Sequence, residues 1–353
     1  MALKIEDIAA IHNTKIRPAL AGVQFWYKIL FFIFVFHILV VGFSSKSNAE
    51  ENFSTWLDSY KKFALAKGIS KETIDIAFKN VKFLDQVIKY DRKQPEFFED
   101  TKTYVGKRAN ISRVNTARKL LKKNKVLFEE VENKFFVEKE ILLALWGIET
   151  NFGKHVGKMD IISSLATLSY DKRRRDFFSS QLLTLLKLID DKLIDPSTLY
   201  GSWAGAYGNF QYMPSTIERY SIDYDNNNKI ELKSSLDDSL ASAANYINST
   251  GWKKNQPCFF RVKLTNNINA KYINLSARTI SNRLKIKKWK KKGIINFDGT
   301  DLKTNLKAAL ILPDGKEGSP AFLVFENYEK ILKWNRSLRF GISVCTLANM
   351  IKI

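Results

Sequence analysis

Residues 139–157 read KEILLALWGIETNFGKHVG. Ile141, Leu142, Leu145, Trp146 and Ile148 make this stretch apolar almost all round, which predicts a helix buried inside a helical body. Glu149 closes the helix just before Asn151 and Gly153, two residues that act as stop signals. A carboxyl group there is disfavoured as an anion twice over, because desolvation opposes the charge and the negative end of the helix dipole repels it. Both effects push the pKa toward the range a general acid needs near neutral pH. A glutamate that merely ends a helix and points to water fits this stretch equally well, so the helix alone assigns no role.

A second stretch, GSWAGAYGNFQYMPSTIERY at 201–220, breaks the tie. Gly201, Gly205 and Gly208 let backbone approach a ligand closely. Ser202 and Gln211, beside Tyr212, offer uncharged hydrogen-bonding groups suited to amides and hydroxyls. Pro214 and Ser215 then open another helix. A neutral, amide-rich groove beside one protonated acid suits a sugar polymer.

Other chemistries have little material. The three histidines are His12, His37 and His155, and the first two fall in the N-terminal segment, so a Ser-His-Asp triad or a histidine-rich zinc site would rest on His155 alone. Cys258 and Cys345 are the only cysteines, too few for a zinc ribbon or a disulfide scaffold. An oxidising compartment would let them pair, but their spacing carries no signal and two buried free thiols are expected.

Ile29–Phe43 (ILFFIFVFHILVVGF) is an apolar run of 15 residues after Lys28, followed by small residues at Ser47 and Ala49. It reads as a secretory signal cleaved after Ala49, being shorter than the roughly 20 residues a spanning helix needs. The alternative is an uncleaved anchor, since Val23–Tyr27 extends the apolar stretch past Lys28. The leader before Lys28 is long, so translation is expected to start later, near Val23. No cysteine follows the run, which excludes a lipoprotein anchor. The 353-residue chain carries a net charge of +21, and +18 remains after residue 49. That excess favours anionic partners, and export argues against nucleic acid.

Domain boundaries are expected at 1–49 (signal or anchor), 50–135 (N-terminal helical region), 136–255 (catalytic core), 256–325 (small β-rich domain) and 326–353 (a segment completing the groove). Helical periods with lysine-rich faces run from 52 to 134, and short alternating runs such as FFRVKL and KYINL begin at Phe259. Arg283–Lys292 packs seven basic residues around Trp289. Such a run can bind a nucleic-acid strand, but a solvated face of a basic protein is the favoured reading.

Glu-Thr-Asn-Phe-Gly at 149–153, followed by Gly-Ser-Trp-Ala-Gly-Ala-Tyr-Gly-Asn-Phe-Gln-Tyr-Met-Pro-Ser at 201–215, resembles the lytic murein transglycosylase B family. The similarity runs from about Phe53 to the C-terminus. It implies a mainly α (α+β) fold with a lysozyme-like helical core, an N-terminal helical region and a small β-rich insert. It also implies an exported, monomeric periplasmic enzyme acting on peptidoglycan glycan strands, held at the membrane if the N-terminal segment is retained, with no nucleic-acid partner.

By the same resemblance Glu149 is the single catalytic acid/base. Tyr104 in KTYVGKRANIS, the pair Arg173 and Arg174 in DKRRRDFF, Ser202, Gln211 and Tyr246 in SAANYI match substrate-contacting positions. Arg175 leaves the register of the arginine pair open by one. KWNRSLRFGISV resembles the closing motif and supplies Trp334, Asn335 and Phe340, where the family more often carries tyrosines. For each aromatic the alternative is ordinary core packing.

Paired-carboxylate glycosidases place the second carboxyl roughly 5–10 Å from the first, and neither Asp160 nor Asp171 has a supporting motif. The resemblance therefore implies lytic transglycosylation without a cofactor. Rival readings are a hydrolytic muramidase of the same shape and a wall-binding protein with an idle Glu149.

Asp223, Asp225, Asn227, Lys229 and Glu231 take the first, third, fifth, seventh and ninth places of an EF-hand-like loop, Lys229 through its carbonyl. Asn228 replaces the usual glycine and Ser234 the closing glutamate; the family closes its loop with a later aspartate, here Asp238. A structural Ca²⁺ of modest affinity is favoured over a polar Asx turn.

Overall fold

The computed structural model describes residues 52–93, 99–316 and 318–352. The expected signal at 1–49 lies outside them, and no helix among the described residues is long and apolar enough to cross a membrane.

Six helices begin the described chain: α1 (Phe53–Ala66), α2 (Lys71–Phe78), α3 (Asp85–Arg92), α4 (Thr101–Arg108), α5 (Ile111–Lys123) and α6 (Lys125–Phe135). Short polar side chains start several of them. Ser70 Oγ accepts from Thr73 N at 3.1 Å, Asp100 Oδ1 from Thr103 N at 2.9 Å and Asn110 Oδ1 from Arg113 N at 3.0 Å, each satisfying a backbone N–H that the first turn leaves without a partner.

Helix α7 (Lys139–Thr150) follows, and Ile141 to Gly147 are buried without interruption. After it come β1 (Met159–Asp160), α8 (Ile161–Tyr170), α9 (Arg175–Asp190), β2 (Tyr200–Gly201), α10 (Pro214–Tyr220) and α11 (Leu236–Ser249). Strands β1 and β2 pair antiparallel, Met159 opposite Gly201 and Asp160 opposite Tyr200. A Cβ at Gly157 would fall on the backbone of Gly201, and one at Gly201 on the carbonyl of Ala206. Only glycine lets these two loops close together.

The chain then builds a sheet from β3 (Phe259–Leu264), β4 (Ile273–Asn274), β5 (Leu284–Lys285), β6 (Ile294–Asn296), β7 (Lys307–Ile311) and β8 (Ala321–Val324), with helix α12 (Ile286–Lys291) between β5 and β6. The order is β4-β7-β8-β3-β6, with β5 also on β7. Its pairs are antiparallel except β4 with β7. Neighbouring residues along β7 and β8 point to opposite faces, and those faces belong to different cores. Ala308, Leu310, Ala321 and Leu323 join Trp289 and Ile294 in a small core of the insert. Ala309, Ile311, Phe322 and Val324 join the main core. Residues 53–353 accordingly form one compact unit, and the α+β class expected from the sequence is the class observed. Trp289 is fully buried and donates its Nε1 to Ala308 O at 2.8 Å, so it offers no face for stacking a base.

Helices α13 (Glu326–Trp334) and α14 (Leu338–Lys352) end the described chain. Cys258, just before β3, is bonded to Cys345 in α14, with Cα atoms 6.1 Å apart. The expectation of two free thiols is overturned. Their sequence separation of 87 hides a contact that only the docking of the sheet against α14 creates.

In the chain-entropy description, closing a loop of 87 residues stabilises the fold by about 4–5 kcal/mol. The Cys258→Ser/Cys345→Ser variant should melt on the order of 10 °C lower. Equal midpoints in calorimetry, with reductant changing neither, would show that the bond adds nothing.

Candidate active site

Helix α7 ends in a sharp reversal. Asn151, Phe152 and Gly153 all take left-handed φ values, 51°, 61° and 81°. Such backbone is costly for a residue as bulky as phenylalanine. Several contacts hold it. Asn151 N donates to Gly147 O at 3.2 Å. Thr150 Oγ1 donates to Asn209 O at 2.7 Å and accepts from Gly153 N at 2.9 Å. The Phe152 ring lies over Gly147, where a Cβ would meet it at 2.7 Å. Glu149 therefore sits half-buried on a helix end that cannot unwind freely.

Asn209 ties this turn to the next. Its Oδ1 accepts from Trp146 Nε1 at 3.2 Å, and its Nδ2 faces Lys233 O at 3.1 Å and Ser239 Oγ at 3.2 Å. Asn209 stands inside the 201–215 motif, but its sequence context alone assigns it no task. A buried amide between two glycine-rich turns was the available signal.

One oxygen of Glu149, Oε1, accepts from Trp334 Nε1 at 3.1 Å. The Trp334 ring stands in a row: Tyr220 stacks on Tyr246 with centroids 4.6 Å apart, Tyr246 lies 5.1 Å from Trp334, and Trp334 lies 5.6 Å from Tyr212. Tyr212 continues through Phe210 to Trp146 on α7. Tyr246 donates its hydroxyl to Lys333 O at 2.9 Å and Tyr212 to Ser239 O at 2.7 Å. Burial pushes the Tyr212 hydroxyl well above its ordinary pKa, and the nearby charge of Glu149 adds to the effect.

The loop carrying Ser202 and Gln211 uses part of their polarity on itself. Ser202 Oγ accepts from Ala206 N at 3.0 Å. Gln211, at φ 53°, donates Nε2 to Val156 O at 3.1 Å and Gly208 O at 3.0 Å. Asn335 follows α13 next to Trp334 and keeps its backbone N on Ile331 O at 3.3 Å. Phe340 is buried at 3% exposure among the main core residues. Tyr104 is equally buried in α4, with the Arg108 guanidinium 3.4 Å from its ring centre.

Arg173 and Arg174 meet on a residue the sequence reading missed. Asp91, 3% exposed, takes Arg173 Nε at 2.7 Å on Oδ2 and Arg174 NH2 on Oδ1. Arg92 NH1 also reaches Oδ2, at 2.8 Å, while its NH2 reaches Asp171 at 2.9 Å. No local pattern marks an aspartate that gathers arginines from 82 residues away. Asp160 caps α8, its Oδ1 accepting from Ser163 N at 2.6 Å. Both carboxylates weighed as partners for Glu149 are thus engaged elsewhere.

In the EF-hand-like loop, oxygens of Asp223, Asp225 and Asp238 lie within 4.8 Å of one another. Asp238 is buried and accepts from Tyr224 N at 2.8 Å and Glu231 N at 2.9 Å. Asn228 takes φ 65°, the turn that glycine usually fills. Desolvation and the like charges of Asp238 and Asp223 raise the Asp225 carboxyl. This convergence of hard oxygen donors fits Ca²⁺; Asn227 and Lys229 lie in the turn beside it, Lys229 N donating to Asn227 Oδ1 at 2.8 Å.

Comparison with known proteins places these features in a family. A family model described as Transglycosylase SLT domain matches residues 52–349. Membrane-bound lytic murein transglycosylase B of Escherichia coli (strain K12) is 40% identical over 119 residues, which is 33% of this chain and 33% of that protein. The match thus spans a third of the curated relative's length. SltB3 from Pseudomonas aeruginosa is 35% identical with a TM-score of 0.78, covering 86% of this chain and 80% of its own, in crystal structures with NAG-NAM-pentapeptide and with NAG-anhNAM-pentapeptide. The Escherichia coli lytic transglycosylase Slt35, crystallised with calcium, is 25% identical with a TM-score of 0.71 over 84% of this chain and 92% of that one.

Asp91 gives a test of the arginine cluster. Burial raises its pKa, but hydrogen bonds and charges from Arg173 and Arg174 outweigh that and hold it below the usual carboxylate value. A folded-state pKa below the unfolded one gives stability that is present above the unfolded pKa and lost as pH falls through the folded one. Asp91→Asn should therefore cost about 3 kcal/mol in urea unfolding at pH 7. The gap from the parent protein should narrow below roughly pH 4. A gap that stays constant with pH would count against the ionised cluster.

Proposed function

The chain belongs to the Transglycosylase SLT domain family, and on that premise we propose that it is a lytic murein transglycosylase with Glu149 as its single acid/base. The observation that carries the reading is the geometry at the end of α7: one half-buried carboxylate bonded to the indole of Trp334, which itself stands in a row of aromatic rings. The anhydro-muramoyl ligand bound to the relative SltB3 supports the same chemistry.

Glu149 protonates the glycosidic oxygen between N-acetylmuramic acid and N-acetylglucosamine. As that bond breaks, the muramoyl N-acetyl oxygen stabilises the positive charge at C1. The carboxylate left behind keeps the Trp334 N–H on Oε1, a charge-assisted bond that favours the anion. Glu149 then takes the proton of the C6 hydroxyl while O6 bonds to C1. The products are a free N-acetylglucosamine hydroxyl and a 1,6-anhydromuramoyl end. The proton returns to the enzyme and no water is consumed.

Tyr104, Arg173, Arg174, Ser202, Gln211, Tyr246, Trp334, Asn335 and Phe340 are the residues proposed to hold or shape the site around the strand. Ser202 and Gln211 keep the loop in shape with some of their hydrogen-bonding capacity, and Tyr246 and Trp334 belong to the row of rings that borders Glu149. A structural Ca²⁺ held by Asp223, Asp225, Asn227, the Lys229 carbonyl and Asp238 would fix the loop leading to Asn209's partners Lys233 and Ser239. The disulfide and the residual charge of +18 after residue 49 support an exported, wall-facing location.

Glu149→Gln keeps the size of the side chain and removes its proton transfer. It should slow strand cleavage by about 10²–10⁴-fold or more while leaving the melting curve near that of the parent. Digests of purified sacculi should yield muropeptides with anhydro ends; products heavier by one water would make the enzyme a hydrolase, and undiminished activity of Glu149→Gln would remove this residue from the chemistry. Millimolar CaCl₂ should raise the thermal midpoint and Asp225→Asn should abolish the rise, whereas a midpoint indifferent to calcium and chelator would leave the loop a plain polar turn.

A further inference from the structure

The proposed groove around Glu149 accounts for a neutral glycan, and a cluster of cations that this reading does not use adjoins it. A cavity of about 580 Å³ opens beside Tyr246, which forms part of its wall. Tyr246 is also the ring packed on Trp334, whose indole N–H holds Glu149, so cavity and groove share one side chain. Arg278 from the insert, Lys330 and Lys333 from α13, and Arg336 just beyond it line the cavity. Its one acidic lining residue, Glu329, is already claimed by Arg283.

Among the described residues, none of these four cations has a carboxylate within 4.0 Å, while neighbouring Lys253 and Arg283 do. Arg336 lies close enough to Tyr246 for its charge to act on the hydroxyl, against the upward push of burial. Like charges gathered round one hollow repel one another, and nothing in the fold requires them to sit together. An anion entering the hollow relieves that repulsion and gains several charge-assisted contacts at once.

If the groove takes peptidoglycan, every muramoyl sugar in it carries a peptide branch with free carboxylates, and that branch must leave the groove somewhere. We propose that this cavity seats the acidic peptide stem of a muramoyl residue bound in the groove. The inference rests on the transglycosylase reading and adds to it a preference for strands whose stems are intact. The carboxylates meet Arg278, Lys330 and Arg336, and the aliphatic parts of the stem lie on the apolar floor supplied by Leu332.

The test uses the full exported chain and two substrates: glycan strands with intact, uncross-linked stems, and the same strands stripped by an amidase. Arg278→Gln/Lys330→Gln/Arg336→Gln removes three surface charges and none of the residues placed in the groove. Its KM for stem-bearing strands should rise roughly tenfold with kcat unchanged, and its KM for stripped strands should stay where it was. Raised salt should weaken the parent's hold on stem-bearing strands in the same way, and Arg278→Lys/Arg336→Lys should retain most of it. A KM that changes equally for both substrates, or for neither, overturns the stem seat while leaving transglycosylation intact. A parent protein that cuts neither substrate would instead bring down the transglycosylase reading itself.

Discussion

The Thr150 hydroxyl is the point on which the site depends. It joins Gly153 N to Asn209 O and so ties the end of α7 to the glycine-rich loop within a few atoms. Three successive left-handed residues would relax if nothing held them, and Glu149 would then swing with the loosened helix end. Asn209 extends the anchorage to Trp146 on one side and to Lys233 and Ser239 on the other. A reactive carboxyl needs a defined position more than it needs many neighbours. Here the helix end is held by the Thr150 hydroxyl, the Asn209 amide and backbone groups.

The helix that carries Glu149 and the loop that faces it were both legible in the sequence, for different physical reasons. Continuous apolarity from Ile141 to Ile148 has few uses except burial, and glycines packed with small polar residues have few uses except close approach. What escaped notice were contacts made across long separations. Asp91 looks like any charged residue near a helix end until the arginines of the 173–175 turn come to it. Cys258 and Cys345 sit in unremarkable settings until β3 and α14 dock. Trp334 could be placed near the site only by likeness to a motif. Its indole lets a ring that lacks a phenol still donate a hydrogen bond, and it delivers that bond to Glu149.

Charge is divided unevenly over the molecule. The excess of lysine and arginine spreads across exposed helix faces, yet Glu149 accepts a hydrogen bond from a neutral indole, that of Trp334. Two cation clusters differ in kind: one is neutralised by a buried aspartate, at Asp91, and one lines a hollow, at Arg278 and Arg336. The first arrangement makes a rigid surface turn. The second leaves electrostatic attraction available to a ligand.

The two-faced strands β7 and β8 carry one more implication. Leu310 and Ile311 are neighbours on one strand, yet each is locked into a different hydrophobic interior. Sliding either strand by a single residue would exchange the two sets at once and leave both interiors with misfitting shapes. The insert that contributes Arg278 is therefore keyed to the helical body like a dovetail joint. A register shift of these strands is no route to reshaping the surface beside them, and such change falls to loops and side-chain rotamers.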